Sequence, residues 1–234
     1  RGKEPGDEGG AQMVPMAETL VDGDAIADVA AYIASMPAVQ HTATIEGDVV
    51  NGQKQYTSKC GACHGATGGG NAELLAPGIA GQSESYLIRQ LWDFRKGVRG
   101  KEPGDTGGAQ MVPMAETLVD GDAIAAVAAY IASMPAVRHT ATIEGDVVNG
   151  QKQYTSKCGA CHGGEGWGNE ALYTPRLTVI GDWYLVRQVL NFQESMRGVH
   201  EDSQYGKQMA MMAKSVSAEE LNDIAAFLNE QPHQ

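Results

Sequence analysis

A seven-residue stretch, Lys-Cys-Gly-Ala-Cys-His-Gly, occurs twice, at 59–65 and at 157–163. It lies inside a longer repeat: residues 1–65 match 99–163 at an offset of 98, differing only at Glu8/Thr106, Asp28/Ala126 and Gln40/Arg138. Beyond residue 65 the offset continues without a gap while the copies diverge. It pairs Pro77 with Pro175, Tyr86 with Tyr184, Arg89 with Arg187, Phe94 with Phe192 and Met111 with Met209. A period of this length is a whole small domain, not a solenoid repeat of about 20–50 residues. The chain therefore divides into complete units at 41–138 and 139–234, preceded by residues 1–40, which copy the distal half of a unit. That half carries Met13 in the register of Met111 and Met209 but no Cys, so it lacks an anchor of its own. It reads as the distal half of a preceding unit that was cut off or left out, or as a swapped half-domain that associates with another chain.

Cys-x-x-Cys followed directly by His is the pattern of covalent haem c attachment, in which two thiols add to the haem vinyl groups and the His binds iron. The same CxxC also serves zinc and redox chemistry. A zinc ribbon needs its two knuckles about 15–20 residues apart, whereas 94 residues separate Cys63 from Cys158. A redox dithiol needs a βαβ setting, and these units show almost no strand pattern. The expected cofactors are two covalently attached haem c groups. Cys60 and Cys63 with His64 hold the first, and Cys158 and Cys161 with His162 hold the second. All four cysteines are used in this way, leaving none for a disulfide. Haem attachment of this kind implies a compartment outside the cytoplasm.

The sixth iron ligand is a separate question. Met111 lies 47 residues after His64, just as Met209 lies 47 after His162. A thioether favours ferrous haem, and a full axial shell leaves no open position for a substrate, which is electron-transfer chemistry. Met114 and Met212 compete in the same segments, and any of these methionines can instead fill core. Bis-His ligation would draw on His41, His139 or His200, but no His recurs in both complete units at a suitable position.

Each unit reads as helix, loop, helix, loop, helix, an all-α fold in which a small helical bundle wraps around its haem. The first helix is predicted over Gly47–Lys59, with its twin over Gly145–Lys157. The second spans Ser83–Lys96, capped by Ser83, and in the other unit Asp182 is available as the cap. Gly97–Val119, which bears the Met, is Gly- and Pro-rich and is predicted to be irregular. Asp120 then caps a helix carrying Ile124, Val127, Ala128 and Ile131 on one face. Its counterpart opens with the capping box Ser217-Ala218-Glu219-Glu220 and buries Leu221, Ile224, Ala225 and Leu228. His139–Asp146 is the expected linker.

A net charge of −12 argues against nucleic acid, since phosphate binding needs a basic footprint. No apolar run approaches the roughly 20 residues of a transmembrane helix. An acidic surface suits steering toward a basic patch on a protein partner, and equally suits plain solubility.

Taken in order, the motif, its Gly-rich loop, Pro77-Gly78-Ile79-Ala80-Gly81-Gln82, Tyr86-Leu87-Ile88-Arg89-Gln90-Leu91 and Met111-Val112-Pro113-Met114 before Ala128-Ala129-Tyr130 resemble the class I cytochromes c. The resemblance is specifically to the tandem dihaem cytochrome c-four type. The second unit departs from it at Pro175-Arg176-Leu177-Thr178, losing the Ala-Gly-Gln stretch. The resemblance implies Met111 and Met209 as axial ligands, and Pro77 and Pro175 as the prolines whose carbonyls accept the His ring N–H. It also implies a periplasmic location, with electrons passing from a quinol-oxidising complex toward a terminal oxidase. Arg89 and Arg187 are candidates to pair with haem propionates. The leading expectation is a non-enzymatic electron carrier, and the runner-up is a cytochrome subunit or tail of a larger dehydrogenase or oxidase. A haem peroxidase or ligand sensor would need an open iron, and a polymerising extracellular wire would draw on residues 1–40.

Overall fold

The computed structural model describes residues 14, 18–20, 23–35 and 47–232, so Met13 and His41 lie outside the described residues. The chain forms two compact units, Arg1–Thr42 and Ala43–Gln234. Described residues are helical apart from turns, loops and two isolated bridges, Asn71 with Ala76 and Asn169 with Thr174.

In the first unit, α1 (Gly23–Ser35) leaves Ile26 and Val29 exposed. The same residues at the 98 offset, Ile124 and Val127, are buried. Two helices that differ only at Asp28/Ala126 therefore differ in burial, and the helix Val49–Lys59 packs against the second of them.

The second unit holds both complete repeats. The first contributes α2 (Val49–Lys59), α3 (Gly61–His64), α4 (Glu84–Arg95), α5 (Thr106–Glu116) and α6 (Gly121–Ser133). The second contributes α7 (Val147–Lys157), α8 (Gly159–His162), α9 (Asp182–Gln193), α10 (Gln204–Ala213) and α11 (Ala218–Glu230). The predicted caps at Ser83, Asp120 and Ser217 form, the last as a complete capping box with Glu220. Asp48 and Asp146 open α2 and α7, their carboxylates accepting the Asn51 and Asn149 N–H.

Crossed helices make each repeat's frame. α2 lies on α6 and α7 on α11. A Cβ on Gly52 would stand 2.0 Å from the Ala126 carbonyl oxygen, and one on Gly150 would stand 2.0 Å from that of Asp223. Only glycine lets the backbones approach so closely. Tyr56 then meets the Tyr130 ring, and Tyr154 meets Phe227.

These pairs correct the uniform offset. Tyr56 and Tyr154 are 98 apart, but Tyr130 and Phe227 are 97 apart, as are the caps Asp120 and Ser217. Thr117 and Ser215, each bonded back to a Met carbonyl, still keep 98. One residue has been lost in the turn before the last helix, where the copies have diverged too far for sequence to show it.

Two further expectations change. The segment Gly97–Val119 contains α5, a regular helix despite Gly107, Gly108 and Pro113. Packing overrides propensity here. Asp105 caps Gly108, Val112 and Ala115 are buried, and Gly100 presses so close that a Cβ on it would stand 2.4 Å from the Gly108 carbonyl oxygen. α10 forms at the same place with the equivalent Gly198–Gly206 approach. Asp182 is also not a cap. Gly181 holds that position, and the Asp182 carboxylate turns to the linker, accepting from the Thr142 and Ile143 N–H groups and the Thr142 hydroxyl at 2.6–2.9 Å. The linker competes successfully because it offers three donors to one buried carboxylate.

The repeats meet over a polar seam. The buried Gln82 amide clamps the Arg176 backbone, donating to its carbonyl at 2.9 Å and accepting its N–H at 2.8 Å. The second repeat has Ile180 at the offset position, so the clamp exists only once and accounts for a segment that departs from the first repeat.

Candidate functional site

The anchors are built from the end of one helix. α2 stops at Cys60, whose N–H still bonds to the Tyr56 carbonyl, and the short α3 turns the chain so that the Cys63 and His64 N–H groups both bond to the Cys60 carbonyl. The second anchor repeats this at Cys158, Cys161 and His162. Tyr56 ties the turn down by donating its hydroxyl to the Gly65 carbonyl at 2.6 Å, and Tyr154 does the same to Gly163. Burial raises the Tyr56 phenol to about 12, so it stays a donor.

The four cysteines are unpaired, with Cys63 and Cys161 exposed and Cys60 and Cys158 half-buried against the two apolar cores. Burial pushes the Cys60 and Cys158 thiols up to about 11. A redox dithiol or a zinc knuckle would be served by a depressed, thiolate-favouring environment instead.

Each His is aimed by a proline carbonyl. His64 Nδ1 lies 2.9 Å from the Pro77 oxygen and His162 Nδ1 3.3 Å from that of Pro175. Burial lowers both imidazole pKa values, outweighing the carbonyl contact, so the rings are neutral. A neutral ring facing a carbonyl through Nδ1 donates there, which leaves the Nε2 lone pair for a metal. The loop that brings Pro77 to the ring is pinned by Asn71 and Ala76, which exchange both backbone hydrogen bonds. Gly70 sits at φ +83°, where a Cβ would be 2.5 Å from the Pro77 carbonyl carbon.

Met111 and Met209 occupy equivalent half-buried places on α5 and α10. Met111 packs against the same apolar cluster as Cys60. The competing residues sit elsewhere: Met114 is 37% exposed and Met212 45%. His139 is engaged with the Val179 carbonyl at 3.0 Å, and His200 Nδ1 accepts the Asp202 N–H.

Arg89 and Arg187 reach between the repeats. Arg89 donates to the Tyr173 carbonyl at 2.8 Å and stacks on Tyr205, while Arg187 donates to the Thr106 hydroxyl at 3.0 Å. The residues that sequence reading missed are a second pair of arginines, Arg99 and Arg197. They sit in a hydrogen-bonded network with Gln90, Gln188, Tyr86 and Tyr184. Their equal spacing at the 98 offset was the available signal.

The residues fit a haem at each anchor: two free thiols, an oriented neutral imidazole and a half-buried thioether at the same register. Comparison with known proteins agrees. The cytochrome c family profile matches residues 49–135 and 147–232. A cytochrome c4 of Azotobacter vinelandii is 31% identical over 77% of this chain and 86% of its own length. A thiosulfate dehydrogenase electron acceptor of Stutzerimonas stutzeri is 29% identical over 86% of this chain and 92% of its own. The crystal structure of reduced recombinant cytochrome c4 from Pseudomonas stutzeri superposes with a TM-score of 0.62 at 25% identity, covering 80% of this chain and all of that one.

Proposed function

This chain belongs to the cytochrome c family, in its tandem dihaem c4 form, and from that premise we propose that it relays single electrons between extracytoplasmic redox proteins. Its two CxxCH sites carry two covalent haem c groups, one in each of the domains 41–138 and 139–234. Haem c supplies a one-electron ferric/ferrous couple when bound. The protein's part is to hold that couple closed to other ligands. His64 and His162, oriented by Pro77 and Pro175, together with Met111 and Met209, would hold the haem irons.

The observation that carries this reading is that both repeats pair a carbonyl-oriented histidine with a half-buried methionine 47 residues later. A closed axial shell favours outer-sphere electron transfer over substrate chemistry. The test is the absorption band at the red edge of the spectrum that reports Fe–S(Met) ligation. Met111→Ala should abolish the first haem's share of it and lower that haem's potential on the order of 0.1 V, within the roughly 0.8 V that axial ligands command. Met114→Ala should change neither. Rapid binding of carbon monoxide to the native protein would refute the closed shell.

The periplasm is the compartment this chemistry calls for, with a quinol-oxidising complex as donor and a terminal oxidase as acceptor. The similarity to a protein named as the electron acceptor of thiosulfate dehydrogenase favours a second reading, in which a dehydrogenase is the donor or holds this chain as a subunit. Among the described residues no helix is long and apolar enough to cross a membrane. Isolation from native membranes and soluble extract separates the two readings, because a subunit co-purifies with a partner holding flavin, quinone or copper.

A further inference from the structure

Each haem anchor is joined to its Met-bearing helix by a lysine. Lys59 is the last residue of α2 and directly precedes Cys60. Its ammonium donates to the Thr117 carbonyl at 2.9 Å, at the C-cap of α5. Lys157 repeats this from the end of α7, donating to the Ser215 carbonyl at 3.1 Å just past the end of α10. The last carbonyls of a helix lack partners within it and carry the negative end of its dipole, so a cation is well suited to hold them. Arg95 and Gln193, the last residues of α4 and α9, hold other carbonyls of the same turn, but only the lysines stand next to a thiol of the anchor.

The contact is the same in both repeats although its surroundings differ. Thr117 stands against Ser215, and Val112-Pro113 against Ala210-Met211 in the helices before them. The acceptor is a backbone oxygen, which no side-chain change removes. Both contacts span 58 residues, because the residue lost from the second repeat lies beyond Ser215, ahead of the cap Ser217. The second repeat also adds to the contact. Lys157 pairs with Glu220 at 2.7 Å, and Glu220 holds the Ser217 N–H at 2.9 Å in the capping box of α11. The first repeat has Ala123 three residues past its cap, and among the described residues no carboxylate lies within 4.0 Å of the Lys59 ammonium.

We infer that Lys59 and Lys157 are positioning residues for the methionine ligands: each ties the end of the Met-bearing helix to the haem anchor and so keeps the thioether from leaving the iron. Met111 and Met209 each lie six residues before the tied carbonyl, under two helical turns away. Fixing that end of the helix therefore limits how far the sulfur travels. The tie is firmer in the second repeat, where Glu220 also fixes the ammonium. This rests on the Met-ligated dihaem reading above.

The experiment uses the full ferric chain with both haems attached, verified by haem-to-protein ratio. Paramagnetic NMR resolves the shifted Met methyl signal of each haem, and Met111→Ala identifies the first. Absence of these signals from the unaltered protein would refute the Met ligands themselves, and the tie with them. Imidazole is then titrated, and the loss of each signal gives the affinity at its own haem. Imidazole binds only the fraction of iron that the thioether has left, so its apparent affinity reports that fraction. Lys59→Met should raise the affinity about fivefold at the first haem, and Lys157→Met about tenfold at the second, each leaving the other haem unchanged. Lys59→Arg, which can still donate, should stay within about twofold of the unaltered protein. Lys54→Met and Lys152→Met remove an exposed lysine from the same two helices and should change neither haem. Glu220→Gln keeps a residue fit for the capping box and should raise the affinity about twofold at the second haem alone. Effects matched by Lys54→Met and Lys152→Met, or spread equally over both haems, would reduce the ties to net charge and overturn them. If the Lys59 and Lys157 variants fail to take up haem, Glu220→Gln still decides, because an unchanged second haem there overturns the tie.

Discussion

Residues 48–65 and 146–163 are the same sequence and fold to the same helix and anchor, yet the helices laid across them, α6 and α11, share a buried apolar face but differ at the crossing itself. At the crossing point α6 presents Ala126 and α11 presents Asp223, both buried. The Asp223 carboxylate accepts the Asp146 N–H and the Asn149 side-chain amide, each at 2.7 Å, so the second repeat ties down the start of α7 by a charge where the first relies on packing. An invariant anchor therefore tolerates two different supports, provided the glycine at the crossing is kept. α1 carries Asp28 at the position of Ala126, the acidic choice of α11.

The sharpest way to break the equivalence of the two frames is at that glycine. Gly52→Ala and Gly150→Ala each raise helix propensity by about 1 kcal/mol but drive a methyl into a backbone carbonyl. We expect each to lose about 3 kcal/mol, read as thermal unfolding of the haem-loaded protein. A gain at either site would mean that the crossing is not the frame.

A smaller effect distinguishes the supports. Asp223→Ala leaves the partly buried Asn149 amide and the Asp146 N–H without their acceptor and should cost about 2 kcal/mol. Ala126→Asp in the first repeat meets the same donors, on Asp48 and Asn51, and should be neutral or gain about 1 kcal/mol. If Ala126→Asp cost as much as Asp223→Ala, the two crossings would not be interchangeable, and chemical denaturation of the paired variants measures both.

How much of this was visible beforehand follows from the range of each interaction. The anchors and the caps at Ser83, Asp120 and Ser217 are local patterns whose donors and acceptors lie a few residues apart, whereas the proline partners, 13 residues from their histidines, came from the family resemblance. The helicity of Thr106–Glu116 was hidden, because Gly107, Gly108 and Pro113 argue against it and only Gly100 and the buried faces of Val112 and Ala115 argue for it. The seam of Arg99, Arg197, Gln90 and Gln188 was hidden because its members are about 90–110 residues apart in the relevant pairs. The lost residue before α11 lies where the copies share no sequence to align. Met13 and its register remain a statement of sequence alone.

The last comparison sets Glu84 against Asp182, first-turn acids of α4 and α9 at the same offset. They have opposite acid behaviour. Burial, and then the nearby Glu170, raise the Glu84 pKa, and its Oε1 is buried without a partner among the described residues. At Asp182 burial also pushes upward, but the hydrogen bonds from Thr142, Ile143 and Trp183 outweigh it and hold the carboxyl below its usual range. A depressed pKa contributes stability above the unfolded value of about 3.9, and that stability is lost as pH falls through the lower folded value. A raised pKa works the other way: its stabilising protonated state is complete below about 4.3 and is lost as pH rises through the folded value. Acidification from pH 7 to 3 should therefore weaken the linker-bound second repeat while relieving the first. Asp182→Asn should cost about 1.5 kcal/mol at neutral pH and flatten the acid limb of the stability profile. Glu84→Gln should gain up to about 0.5 kcal/mol at neutral pH and nothing at pH 3. Melting temperatures of both variants across that range check the pair, and an acid limb unchanged by Asp182→Asn would show that the linker is not held by that carboxylate.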